Sequence, residues 1–298
     1  MRNKFLLLIA IMLLSCQSQQ SKPMIVVSNQ PLMMIMQEIV GPKIQLECIT
    51  KPGDSPHTYS PKPTDAAKAA NATIFLYTSE SLDAWTGNLI TKKSIEVLNL
   101  VPNSSKLSNC ETCAHHHQEA EANNTHQHKN EDFDPHFWTD PLTVKALLPN
   151  LVDTLAKLMP EYAQTFKTNA DLFAKRLELL NKQIAQILND KQGKSVFMFH
   201  PSFKYFINRY GLEYGGSIEV SPGKQPSPNY LKQLSDKIKA TNTKAIFSEP
   251  QLSEISAKAV AENTGTILFV LDPLGGEKGR TKYSDLLLYN ARILQKAL

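Results

Sequence analysis

Short apolar runs alternate with amphipathic stretches along most of this 298-residue chain. Met24 to Ser28, Ile44 to Ile49, Thr73 to Tyr77 and Ile95 to Leu98 are β-rich runs separated by segments of helical pattern. That alternation predicts βα units on a mostly parallel sheet. The same grammar returns in the last third of the chain. Lys194 to Phe199, Lys244 to Ser248 and Thr266 to Leu271 are candidate buried strands, with helices around Pro201 to Tyr210, Asn229 to Ala240, Ser253 to Asn263 and Lys282 to Lys296. Between the two halves, Leu142 to Leu158 and Glu161 to Asp190 are predicted helices. In the second of these, Phe166, Ala170, Phe173, Leu177, Leu180, Ile184 and Ile187 recur at steps of four and three, a continuous buried stripe, and Pro160 suits its first turn. The pattern predicts an α/β protein: two (β/α) lobes with mostly parallel sheets, joined by a long backbone helix. Strand C-terminal ends from both lobes then meet in a cleft.

The ends of the chain refine this plan. Met1-Arg2-Asn3-Lys4 is a basic start, and Phe5 to Leu14 is a run of ten apolar residues, too short to span a bilayer but suited to a signal segment. The run closes on Leu13-Leu14-Ser15-Cys16, which resembles a bacterial lipobox and would make Cys16 the lipid-modified first residue of the mature protein. An ordinary secretory signal cut near Ser15 is the plainer alternative. The expected organisation is a lipoprotein signal over 1–15, a tether over 16–23, an N-terminal lobe over 24–140, a helical linker over 141–192 and a C-terminal lobe over 193–298. Within the first lobe, 103–132 lacks periodicity and is rich in Asn, Gln, Glu and His, which predicts an exposed, disordered loop. No later segment reads as a membrane span, and the protein is expected outside the cytoplasm, facing the periplasm or the cell exterior.

Composition adds limits more than content. The formal charge of +4 gives no sign of a nucleic-acid partner. Six of the eight histidines fall between His115 and His136. Five of them, His115, His116, His117, His126 and His128, lie in the polar tract and form a candidate auxiliary metal collector. Cys110-x-x-Cys113 just before them could add thiolates or close a small disulfide, and Cys48 remains over. His136 stands apart, framed as Asp134-Pro135-His136-Phe137-Trp138-Thr139-Asp140-Pro141.

The isolated histidines are the stronger candidates. His57 sits in a Pro/Gly loop after the second predicted strand, His136 precedes the middle helix, His200 directly follows one strand, and Asp272 directly follows another. Three imidazoles and one carboxylate match a closed tetrahedral zinc site. Each residue also has a plain alternative: a hydrogen-bonded structural histidine for His200, surface decoration for His57, and a turn or helix cap for Asp272-Pro273. Asp140 and Glu249 are candidate partners for orienting the rings.

Several stretches together resemble one family. Pro52-Gly53-Asp54-Ser55-Pro56-His57, Asp134 to Pro141, His200-Pro201-Ser202-Phe203, Ser221-Pro222-Gly223-Lys224, Ser248-Glu249-Pro250-Gln251 and Leu271-Asp272-Pro273-Leu274-Gly275 follow, in order, the pattern of the cluster A-I solute-binding proteins. These are receptors of metal-ion ABC transporters, and the chain is most similar to their zinc-binding branch. The resemblance implies two lobes around a backbone helix and a zinc ion held by His57, His136, His200 and Asp272. Manganese is the less favoured ion, because manganese-type members tend to carry Glu at the position of His200. It also implies an ABC permease as partner, a lipid anchor and a monomer. Two features depart from the family: Tyr59-Ser60-Pro61-Lys62-Pro63 lacks a glutamate often found there, and Cys110-x-x-Cys113 is foreign to the pattern.

Two other classes stay open at this point. The chain has no H-E-x-x-H, G-x-S-x-G or P-loop, so it reads as a non-enzyme, yet three histidines with a free carboxylate would also suit a metallohydrolase. An Asp272 held away from a three-histidine metal would favour that enzyme. A zinc buffer built on the histidine tract is the third class, and it requires the tract for tight binding.

Overall fold

The computed structural model describes residues 22–108, 133–219 and 222–298. Its first sheet is built from β1 (Met24–Val27), β2 (Gln45–Cys48), β3 (Ile74–Tyr77) and β4 (Ser94–Glu96), in the order β2-β1-β3-β4. The second uses β5 (Ser195–Met198), β6 (Glu213–Ser217), β7 (Ala245–Ser248) and β8 (Ile267–Val270), in the order β6-β5-β7-β8. Every pairing is parallel. Parallel strands flanked by helices are buried on both faces, and Ile74 to Tyr77 and Ala245 to Ser248 are buried throughout. The strand runs read from the sequence are thus seven of the eight strands, six of them trimmed by one or two residues and β4 starting one residue earlier and ending two earlier than expected.

The connecting helices follow the same plan. α1 (Gln30–Ile39) and α2 (Pro63–Asn71) belong to the first lobe, α3 (Pro141–Leu158) and α4 (Ala163–Ile187) run between the lobes, and α5 (Lys204–Arg209), α6 (Pro228–Ala240), α7 (Ile255–Thr264) and α8 (Tyr283–Ala297) serve the second. Side-chain caps start three of them: Asn29, Asp140 and Ser227 accept from Leu32, Leu142 and Tyr230. α4 is the predicted backbone helix. Phe166, Ala170, Phe173, Leu177, Leu180 and Ile184 are buried along it, while Ile187 is half-exposed and Leu188 takes the buried place at its end. α3, α1 and α8 all pack against this stripe, so one helix carries both lobes. Truncating Leu177 to Ala at its centre is expected to cost about 2–5 kcal/mol.

Three differences from the sequence reading have physical reasons. β6 is absent from the predicted strands because Glu213-Tyr214-Gly215-Gly216-Ser217 has no apolar run; its glycines are set by packing, since a Cβ on Gly215 would lie 2.6 Å from the Phe197 ring. α5 is shorter than the predicted Pro201 to Tyr210. The stretch 103–108, placed in the exposed loop, is ordered: Asn103–Ser105 forms a 3₁₀ turn, and Leu107 bonds through its backbone to Tyr205 and Asp134. The remainder of that loop, 109–132, lies outside the described residues, as do the predicted signal and most of the tether.

Candidate metal centre

Three histidines from three parts of the chain converge at the C-terminal ends of the sheets. His57 comes from the loop after β2, and that loop is anchored by Trp85, whose indole N–H donates to the Pro56 carbonyl at 2.9 Å. His136 opens a 3₁₀ turn, Phe137–Thr139, immediately before α3. His200 follows β5 with a single residue between. Nε2 of His136 lies 3.1 Å from Nε2 of His57 and 3.4 Å from Nε2 of His200. All three rings offer a nitrogen within 4.8 Å of the others. Two nitrogens bound to one tetrahedral zinc at the usual ~2.0–2.1 Å stand about 3.3 Å apart, so the observed spacings fit zinc.

Neighbouring carboxylates decide which nitrogen faces the centre. Asp134 Oδ1 accepts from the His136 backbone N–H at 2.8 Å and lies 2.9 Å from His136 Nδ1. A carboxylate only accepts, so the proton sits on Nδ1 and Nε2 presents its lone pair. His200 is handled in parallel. Its Nδ1 lies 2.6 Å from Glu249 Oε1, off the axis of an ideal hydrogen bond, and Ser202 steadies the same oxygen at 3.0 Å. His57 is kept neutral by other means: burial first, then the repulsion a second protonated ring would meet beside His136 and His200, hold its pKa well below the ordinary histidine range. A neutral ring is the form that binds metal. The three rings border a cavity of about 10 Å³, also lined by Glu249, Gln251 and Pro273, small enough to admit only ions and water.

Asp272, expected as the fourth ligand, is not brought into this cluster. Its fully buried carboxylate accepts from Arg280 Nε at 2.6 Å on one oxygen. The other oxygen accepts from Gln251 Nε2 at 2.9 Å and from the backbone of Leu274 and Gly275 at 3.1 and 2.9 Å. Gly275 is required there, because its φ of 70° is left-handed and a Cβ would sit 2.8 Å from the Arg280 carbonyl. Of the two candidate ring-orienting residues, Glu249 does reach His200, whereas Asp140 caps α3 and pairs with Arg209. The His136 partner is Asp134, visible in the Asp-Pro-His frame but not assigned from it. Arg280 carried no sequence signal, and Gln251 only its place in the Ser248-Glu249-Pro250-Gln251 stretch. Cys16, Cys110, Cys113 and the histidines 115, 116, 117, 126 and 128 lie outside the described residues. Cys48 is a free thiol that burial pushes up to about 12, far from thiolate chemistry.

Fold and site together define a two-lobed α/β binding protein with an ion-sized, histidine-walled centre where the lobes meet. The family model for the zinc-uptake complex component A, periplasmic, matches residues 25–297, and the chain belongs to that family. Its relatives include the zinc-binding protein AdcA of Streptococcus pyogenes, 28% identical over 264 residues that cover 86% of this chain and 51% of AdcA. The high-affinity zinc uptake system protein ZnuA of Brucella abortus is 36% identical over 169 residues, 56% of this chain and 51% of the relative. The chain thus spans about half the length of the curated relatives it matches. A crystal structure of ZnuA superposes with a TM-score of 0.75 at 27% identity, covering 93% of this chain and 99% of the other.

Proposed function

We propose that this protein is an extracytoplasmic zinc receptor that captures Zn(II) between its lobes and delivers it to the membrane permease of an ABC-type importer. The observation that carries the reading is the Nε2 spacing of 3.1 and 3.4 Å around a cavity sized for one ion. His57, His136 and His200 are the ligands. A nitrogen-rich set favours zinc over manganese, which prefers oxygen donors and stands lowest in the divalent affinity order. Names of relatives that concern zinc binding and zinc uptake support the same ion. A lipid on Cys16 and a monomeric state complete the proposal.

The test is a competitive titration of the purified chain with zinc against manganese, with and without residues 110–128. One zinc bound tightly in both forms, and lost in His200→Ala, is the expected result. Tight binding that disappears only with the tract would sink the receptor in favour of a zinc buffer.

The hydrolase reading has one observation on its side, since Asp272 is held away from the histidines. Two facts count against it. Arg280, Gln251 and two amides occupy both Asp272 oxygens, so this carboxylate is no free base. A cavity of about 10 Å³ also has no room for an organic substrate beside a metal.

A further inference from the structure

Gln251 borders the histidine cavity, and its Oε1 is a buried acceptor that no donor among the described residues reaches. Which end of the amide faces where is fixed by chemistry. Nε2 donates to Asp272 Oδ1 at 2.9 Å, and with Arg280 donating to Oδ2 at 2.6 Å the carboxylate is an acceptor on both sides. The amide nitrogen is thereby held toward Asp272 and the oxygen is turned the other way. Arg280 is itself fixed, stacked on Tyr289 at 4.6 Å and tied through its carbonyl to Gly276 N at 2.9 Å. The series Arg280, Asp272, Gln251 therefore ends in a buried, unpartnered oxygen on a residue that lines the same cavity as the three imidazoles.

We propose that Gln251 governs the fourth coordination position of the cargo. Its Oε1 accepts the hydrogen bond of a water molecule that completes the tetrahedron around an ion held by His57, His136 and His200. Asp272 and Arg280 act as positioning residues that keep the oxygen, rather than the NH₂, facing that water. Direct ligation by Gln251 is the weaker chemistry, because zinc takes thiolate, imidazole and carboxylate, and a neutral carboxamide competes poorly with them. A zinc-bound water, by contrast, is strongly acidic and a strong donor. An exchangeable water in this position also suits a protein that must give its ion up. The inference rests on the three-histidine reading above.

Zinc competition and cobalt(II) absorption spectra on the full chain test it. Gln251→Leu is expected to weaken zinc about tenfold and to shift the cobalt spectrum. It should lower the metal-free Tm only slightly, because the Gln251 bond to Asp272 is lost while Asp272 Oδ1 keeps its two backbone donors and the unpaired acceptor Oε1 is removed as well. Asp272→Ala removes the acceptor that holds the Gln251 NH₂, so the carboxamide loses its fixed orientation toward the cavity. Its loss of zinc affinity should match that of Gln251→Leu, and the double variant should lose no more than either alone. Gln251→Met repeats the test should Leu fail to fold. Unchanged zinc affinity and cobalt spectrum in both Gln251 variants would overturn the proposal, and so would fully additive losses in the double variant. Failure of the underlying site is read separately in the same titration, as a wild-type chain without one-to-one cobalt binding, or as binding retained in His200→Ala.

Discussion

The two lobes share one strand order and treat the ends of their central strands in opposite ways. In the first lobe β1 runs into Ser28 and Asn29, which bind a buried carboxylate: Ser28 Oγ and the Thr78 amide each donate to Asp83 at 2.7 Å. In the second lobe its counterpart β5 runs into His200, whose carboxylate partner Glu249 follows β7 by one residue. Each lobe also buries a carboxylate completely, Asp83 and Asp272. Asp83 meets only neutral donors, and burial pushes its pKa from 3.8 up to about 6. Asp272 meets a guanidinium and, through Gln251, the metal centre. The end of a parallel strand is thus an address shared by structure and function, and the partners placed there decide which it serves.

The sharpest break in this comparison is His200→Ala, which removes the proposed ligand that the second sheet supplies from a strand end. Zinc affinity should fall by more than about a hundredfold, beyond the cost of losing an outer partner, as read by chelator competition. The corresponding change in the first lobe moves stability instead. The Asp83 pKa is raised in the folded state, so the native protein holds that proton more tightly than the unfolded chain. Its contribution is complete below about 4 and lost as pH rises through about 6, a loss on the order of 2–3 kcal/mol. Denaturant unfolding of the metal-free chain at pH 4 and pH 7 measures it, and Asp83→Asn should flatten the dependence while leaving zinc affinity alone. A zinc affinity that follows the Asp83 substitution would show that the lobes do not divide the work in this way.

Smaller effects refine the second lobe's side. Asp134→Asn and Glu249→Gln each permit the wrong ring tautomer, and each should weaken zinc by about ten- to a hundredfold with an unchanged Tm. Deleting residues 110–128 is the smallest change. The three proposed ligands all lie outside that segment, so the affinity should move by less than about 0.5 kcal/mol in isothermal titration.

The sequence carried the fold wherever burial was two-sided. Ile74 to Tyr77 and Ala245 to Ser248 announce themselves as apolar runs, and the α4 stripe as a 3.6-residue period. β6 was hidden because its residues answer to Phe197 across the sheet rather than to a pattern of their own. At the site, the histidines were legible as isolated residues at loops and strand ends, where such side chains face a cleft. What spacing could not give is direction. Asp272 follows β8 with one residue between, close to where it was expected, yet Arg280, eight positions on and brought back by a turn through left-handed glycines, takes its carboxylate. Only the folded loop decides between the two partners.

The anchoring of the histidines has a kinetic consequence. Trp138, two residues after His136, donates to the Pro273 carbonyl at 2.8 Å, and Tyr205 of α5 donates to the Asp134 carbonyl at 3.1 Å. His136 is therefore stitched to the second lobe, beside His200, although it precedes the backbone helix. The His57 loop is tied through Trp85 to the first lobe. On the proposed ligand set, the centre is a vise with one jaw of two imidazoles and another of a single imidazole. A separation of the lobes would then shed one bond before the other two, and the cargo would leave by way of a two-ligand state rather than by simultaneous rupture.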